Sequence, residues 1–120
     1  MNDTRIARLV ADTIRTGEDE SRFYELYAWV VMPNHVHVLV LPKVPLRQIT
    51  QWIKGKTARG ANLILERSGE PFWQHESYDH WVRSQREFNN IVAYIEDNPV
   101  NAALAASPED WPWSSAGRAS

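Results

Sequence analysis

The chain has 120 residues, 43% of them hydrophobic and 23% charged, which is enough for one domain built around one core. It contains no cysteine, and this excludes a disulfide scaffold and a thiolate metal site. No apolar run approaches the ~20 residues that a membrane-spanning helix needs, and the amino terminus is too polar for a signal peptide. We expect a single domain over residues 1–120 in a cytoplasmic protein.

The amino-terminal part predicts a helix followed by a hairpin. Apolar side chains recur at helical spacing over residues 3–16, and Gly17 with the acidic residues after it ends the helix. The aromatic and β-branched run at 23–31 predicts a strand. A tight turn at Pro33-Asn34 leads into a valine-rich strand at 35–41, so the two strands form an antiparallel hairpin.

The next predicted element is a long helix from Leu46 to about Glu66 with a basic surface. The whole chain has a net charge of −2, yet residues 43–60 carry five cations and no acid. A local positive stripe is what a phosphate backbone needs, although a solvated helix face explains it equally well. Trp52 lies beside the stripe and could stack on an unpaired base. The five cations are Lys43, Arg47, Lys54, Lys56 and Arg59.

The carboxyl-terminal part predicts a short strand around 72–82 and a third helix over 85–98. Ser84 caps this helix, with Glu87 at its third position as in a capping box. Pro99 disfavours helical geometry at the residue before it and is suited to start another short helix.

Taken together, these elements point to an α+β fold in which helices lie on an antiparallel sheet as a sandwich. Neither a repeat nor a linker separates them, so they are expected to share one core. The tail at 111–115 is expected to be irregular.

Two histidines, His35 and His37, are the most informative feature of the second strand. Strand side chains alternate between faces, so both imidazoles project from one face about 7 Å apart. The valines Val36, Val38 and Val40 then point to the opposite, apolar face. Two neutral imidazoles at that spacing can chelate one divalent cation, and a partly exposed pair without a metal is the alternative.

Tyr94 and Asn98 lie four residues apart on the third helix, at the edge of its apolar face. If this helix packs on the sheet, the phenol faces the histidine strand. A phenolate can attack a phosphodiester, and Mg²⁺ or Mn²⁺ held by His35, His37 and the Asn98 carbonyl would polarise the phosphate. Taken alone, Tyr94 is better explained by packing at a helix edge, and Asn98 by capping of the next helix.

Four segments of the chain carry a recognisable pattern: Trp29-Val30-Val31-Met32-Pro33-Asn34-His35-Val36-His37; Phe72-Trp73-Gln74 with Tyr78-Asp79-His80 and Arg83; Tyr94-Ile95-Glu96-Asp97-Asn98-Pro99-Val100; and Trp111-Pro112-Trp113-Ser114-Ser115. The stretch that holds them covers about three-quarters of the chain. In this combination the chain resembles the HUH-type single-tyrosine transposases, most closely the REP-associated tyrosine transposases.

The resemblance implies a ferredoxin-like domain with the histidine pair on a central strand and the tyrosine on a helix facing it. It implies Tyr94 as the nucleophile that cuts single-stranded DNA to a 5′-phosphotyrosine, and His35, His37 and Asn98 as metal ligands. The implied DNA is a hairpin flanked by a short guide sequence, bound by a monomer or a homodimer. The candidate contacts on the basic helix are Arg47, Trp52, Lys54, Lys56 and Arg59.

One departure from the family pattern concerns the start of the chain. Family members begin with a strand ahead of the first helix, whereas here the helix follows Met1 at once, so the sheet could lack a strand and expose an edge. A truncated or domesticated module that binds single-stranded DNA without cutting it is therefore an alternative, and a phosphodiesterase that uses activated water is a third. For His75 and His80 we expect a structural role in preference to metal binding or DNA contact.

Overall fold

The computed structural model describes residues 4–33, 35–64 and 82–117. In chain order its elements are α1 (Thr4–Asp19), β1 (Tyr24–Val31), β2 (Val36–Pro42), α2 (Leu46–Ile64), α3 (Gln85–Asn101) and a 3₁₀ turn (Pro108–Asp110). They form the predicted α+β fold, with a two-stranded antiparallel sheet and three helices over the described ranges. The strand predicted around 72–82 lies, except for Val82, outside the described residues, as do His75 and His80. None of the helices described is long and apolar enough to cross a membrane.

The hairpin is antiparallel, and its register decides which side chains share a face of the sheet. Val30 of β1 lies opposite His37 of β2, and Trp29 lies opposite Val38. Directly opposed residues project from the same face, and neighbours along a strand alternate. The register therefore places His37 and Val38 on opposite faces of the sheet, as strand alternation predicted. A bulge at Tyr27 shifts the register near the start of β1.

The helices α1 and α2 lie on the face of the sheet that carries the valines of β2. The apolar stripe of α1 packs on Trp29 and Val31, and Ala61 of α2 joins the same buried cluster. Val36 and Val38 pack against this cluster, which confirms that they point away from the histidine face. The buried residues of the α1 stripe in this cluster are Ile6, Ala7, Val10, Ala11 and Ile14.

The third helix covers the opposite face of the sheet. Ile95 is buried against the inward side chains of the hairpin, and these are Ala28, Val30, Met32 and Leu39. The remaining apolar positions of α3 pack on the same cluster, as the helical spacing predicted: Phe88, Ile91 and Val92. The sheet is therefore enclosed between α1 and α3, and α3 lies on the side of His37.

The start of α3 is capped as the sequence predicts. Ser84 is extended and its hydroxyl oxygen accepts a 3.1 Å hydrogen bond from the Glu87 backbone N–H. The Glu87 carboxylate reaches back to the backbone N–H of Arg83 at 2.9 Å, one residue before the position expected of a capping box.

The end of α3 differs from the prediction, because the helix continues through Pro99 instead of stopping before it. The proline ring is fully buried, so tertiary packing outweighs the hydrogen bond that proline cannot donate. Ala102 N–H bonds the Asn98 carbonyl at 3.0 Å, and Leu104 N–H bonds the Pro99 carbonyl at 2.8 Å. Ala103 has a φ of 60°, in the left-handed region that often terminates a helix.

The tail, predicted to be irregular, pairs with the outer edge of β1. Val31 N–H donates to the Trp113 carbonyl at 2.8 Å, and Ser115 N–H donates to the Trp29 carbonyl at 2.9 Å. The Trp111 indole N–H adds a 3.0 Å bond to the Val31 carbonyl. The tail therefore covers part of a strand edge that would otherwise be open.

Candidate active site

The packing of α3 brings Tyr94 to the histidine face of the sheet. Its neighbour Ile95 is buried, whereas Tyr94 is 58% exposed at the flank of the helix. The Tyr94 ring meets the His37 ring edge to face, with 5.7 Å between ring centroids and 78° between planes. The phenol is thus anchored by one ring contact and remains accessible to solvent, as its edge position predicted.

The two histidines contact each other as well. The ring centroids of His35 and His37 are 4.8 Å apart, and the rings meet edge to face at 76°. This distance is shorter than the about 7 Å expected from the spacing of a strand. His35 lies one residue before β2, where its carbonyl accepts a 2.8 Å bond from Met32 N–H. Burial, and to a lesser degree the charge of His35, lower the pKa of His37. A neutral imidazole keeps the lone pair that a metal ion needs.

The predicted metal ligands offer two imidazole nitrogens and one amide oxygen, from His35, His37 and Asn98. Within the described ranges there is no group of three His, Asp or Glu side chains that could hold a metal. The third ligand predicted for His35 and His37 is the carbonyl of Asn98, an amide, which lies half-buried one turn after Tyr94.

The basic helix does not join this cluster. It packs on α1, across the sheet from α3. Arg47, Lys56 and Arg59 are exposed, and Lys54 is half-buried. If these cations contact DNA, they do so on a surface separate from the one that carries Tyr94.

Trp52, the predicted stacking residue on α2, is half-buried and already has aromatic and cationic neighbours. The Phe23 ring meets it edge to face at 5.3 Å, and Lys56 Nζ lies 5.3 Å from its ring centroid. An unpaired base that stacks on Trp52 would therefore compete with Lys56 for the indole face.

A hydrogen bond on the far flank of α3 was not predicted. The Ser115 hydroxyl donates to the Glu96 carboxylate at 2.7 Å and so joins the tail to the helix that carries Tyr94. Glu96 and Ser115 both lie in segments that carry the family resemblance. The local pattern around either residue does not indicate the bond between them.

Comparison with known proteins decides the family. The family model described as "Transposase IS200 like" matches residues 3–98. The chain belongs to the IS200-like transposase family. A REP-associated tyrosine transposase of Escherichia coli K12 is 30% identical over an alignment of 96 residues, which covers 78% of this chain and 54% of that protein. A Haemophilus influenzae relative is 29% identical over 104 residues, with 77% of this chain and 58% of the relative covered.

A solved structure confirms the relationship at the level of fold. The structure of a REP-associated tyrosine transposase bound to a REP hairpin matches this IS200-like chain with a TM-score of 0.70 and 26% identity. The match covers 92% of this chain and 63% of the other. The chain therefore spans slightly more than half the length of the curated relatives that it matches.

Proposed function

We propose that this IS200-like protein is a transposase that cleaves and rejoins single-stranded DNA containing a hairpin, with Tyr94 as its nucleophile. The observation that carries the proposal is the contact of the exposed Tyr94 ring with His37, which in turn contacts His35. The relative bound to a REP hairpin supports hairpin DNA as the substrate class. Because the proposed substrate is DNA, we propose that the protein acts in the cytoplasm.

The chemistry follows from the position of Tyr94. Its phenol oxygen loses a proton to solvent and attacks the scissile phosphorus, and the bond from phosphorus to the 3′ oxygen breaks. The 3′ oxygen leaves as a hydroxyl after taking up a proton, and the 5′ phosphate remains as an ester of tyrosine. The phosphotyrosine bond retains the energy of the broken link, so a 3′-hydroxyl can reverse the attack and join a new strand.

The positive charge that this attack needs would come from a cation bound beside Tyr94. We propose that His35, His37 and Asn98 hold Mg²⁺ or Mn²⁺, which when bound stabilises negative charge on the phosphate oxygens. The lowered pKa of His37 keeps its imidazole neutral and available as a ligand at pH 7. Contact between the His37 and Tyr94 rings keeps the phenol beside that ligand set.

The direct test is the covalent intermediate. The protein is incubated with a hairpin-flanked single-stranded oligonucleotide and Mn²⁺, and denaturing electrophoresis detects a protein–DNA adduct. We expect the adduct with the wild type and with Tyr27→Phe, a control at another exposed tyrosine, but not with Tyr94→Phe. An adduct with Tyr94→Phe would show that the nucleophile is assigned wrongly.

The same assay separates the alternatives. Binding of the oligonucleotide by the wild type with no adduct would identify a DNA-binding module that no longer cuts. Hydrolysis that persists in Tyr94→Phe without an adduct would identify a phosphodiesterase that activates water. EDTA is expected to abolish the adduct and added Mn²⁺ or Mg²⁺ to restore it, whereas an adduct unaffected by EDTA would refute the metal.

The contact geometry also predicts where a complete site is assembled. Tyr94 meets His37 of its own chain, so we propose that one chain holds the whole site. A mixture of Tyr94→Phe and His37→Ala chains is then expected to form no adduct. Restored activity in the mixture would show that two chains exchange their tyrosine helices in a homodimer.

A further inference from the structure

The segment of α3 that carries the tyrosine crosses one row of the sheet. Val30 of β1 lies opposite His37 of β2 on one side and forms an antiparallel bridge with Ser114 of the tail on the other. These three residues therefore stand in line across the strands. Ile95 is buried in the same cluster as Val30, the middle residue of the row, so α3 packs on this part of the sheet at Ile95.

The residues on either side of Ile95 reach the two ends of the row. Successive helical positions are about 100° apart, so Tyr94 and Glu96 project to opposite flanks while Ile95 points at the sheet. On one flank Tyr94 contacts His37 with 5.7 Å between ring centroids. On the other flank the Glu96 carboxylate accepts the 2.7 Å bond from the Ser115 hydroxyl.

Ser115 is itself held on the strand. Its backbone N–H donates to the Trp29 carbonyl at 2.9 Å, and its side-chain oxygen accepts the Trp29 N–H at 3.1 Å. The bond to Glu96 therefore links α3 to the edge of β1 through a serine that the strand already orients. A hydrogen bond to a carboxylate is stronger than one between neutral groups.

We propose that Glu96 and Ser115 are positioning residues that fix the rotation of α3 about its axis and thereby the approach of Tyr94 to His37. Side chains extend ~5–6 Å from a helix axis, so a rotation of about 10° moves the phenol by about 1 Å. Displacement on that scale can slow a reaction by ~100-fold. The catalytic part of this inference rests on the proposed role of Tyr94 as nucleophile.

The test uses Glu96→Ala and Ser115→Ala, with two matched controls. Glu96→Gln keeps an oxygen that accepts the serine hydroxyl, and Glu109→Ala removes the same charge from an exposed position outside α3. The first readout needs no activity: it is the nuclear Overhauser effect between the ring protons of Tyr94 and His37. The second is the single-turnover rate of adduct formation with saturating hairpin-flanked oligonucleotide, measured together with the Kd for that DNA.

We expect Glu96→Ala and Ser115→Ala to weaken the ring-to-ring signal and to slow adduct formation by roughly 10- to 100-fold with little change in Kd. Glu109→Ala should behave as the wild type in both readouts. Glu96→Gln should stay close to the wild type and clearly above Glu96→Ala, because its amide oxygen accepts the same bond more weakly. An unchanged ring-to-ring signal in Glu96→Ala, or equal loss in Glu96→Ala and Glu96→Gln, would overturn the proposal. If the wild type forms no adduct, the proposed function fails while the ring-to-ring signal still decides the positioning role.

Discussion

At the scale of single residues, Tyr24 shows how one polar group is accommodated in the core. Its side chain is almost completely buried, and its hydroxyl donates to the Ile14 carbonyl on α1. Burial is the main cause that raises the pKa of Tyr24 above its ordinary value, and the nearby Glu18 carboxylate adds to it. The hydrogen bond keeps the buried oxygen satisfied only while the phenol is protonated.

The stability of the fold is therefore expected to fall in alkaline solution. Below pH ~10 Tyr24 is neutral in both the folded and the unfolded chain. Above pH ~10 only the unfolded chain loses the proton, so the free energy of unfolding decreases by about 1.4 kcal/mol per pH unit from this group. Urea unfolding of the wild type and Tyr24→Phe from neutral to alkaline pH measures the difference. Parallel pH profiles for the two proteins would contradict the prediction.

At the scale of elements, Gly17 has a role that the local pattern does not reveal. The sequence predicts that Gly17 and the acidic residues after it end the first helix, and α1 does end within that group, at Asp19, with Gly17 inside the helix. A β carbon at Gly17 would overlap the ring of Tyr24, so the glycine is required by close packing within the helix and not as its stop.

Two glycine substitutions separate packing from helix propensity. Gly17→Ala is expected to destabilise the protein by about 1–3 kcal/mol, because the methyl group collides with a rigid, buried ring. Gly55→Ala on α2 is the matched control, since its nearest neighbour is an Arg59 guanidinium nitrogen at 3.4 Å. It should stabilise by about 0.5–1 kcal/mol through helix propensity alone. Urea midpoints that rise for both variants would contradict the role of Tyr24.

At the scale of the whole molecule, the tail completes the sheet. Trp111, Trp113 and Ser115 supply hydrogen bonds to the edge of β1, and the two ends of these bonds are as far as 86 residues apart in the chain. Ending the chain after Asp110 should lower the free energy of unfolding by at least ~3 kcal/mol, at about 1 kcal/mol per lost bond.

The same truncation should also promote self-association, because it opens a strand edge. Sedimentation and thermal unfolding measure both effects. A chain that ends after Gly117 keeps every tail contact described here and serves as the control. If the two truncated proteins unfold alike, the tail does not stabilise the sheet.

The separation of the basic helix from Tyr94 leads to a prediction about DNA binding. If α2 contacts phosphates, Lys56→Ala and Arg59→Ala should each weaken binding to a hairpin oligonucleotide and reduce the slope of log K against log salt by about 1. Arg22→Ala, an exposed cation in the turn before β1, is the control and should leave the slope unchanged. Fluorescence anisotropy between about 50 and 200 mM salt measures the slope. Equal slopes for Lys56→Ala, Arg59→Ala and Arg22→Ala would show that DNA does not bind to α2.

The sequence by itself determined the features that depend on neighbours within a few residues. Strand alternation predicted His37 and Val38 on opposite faces of the sheet. Helical spacing predicted Tyr94 at the edge of an apolar face, and Ser84 predicted the start of α3. Each follows from local periodicity or a local hydrogen bond. The family, too, was identified from short segments in a fixed order.

Only the tertiary structure decided how these elements meet. In the folded chain, α3 continues through Pro99, and Ser115 is hydrogen-bonded to β1. Helix α2 lies across the sheet from Tyr94. These outcomes depend on burial and on hydrogen bonds between residues far apart in the chain, which can outweigh the local preference of a proline or a tail. A pattern confined to one segment carries no information about the partner that such a contact requires.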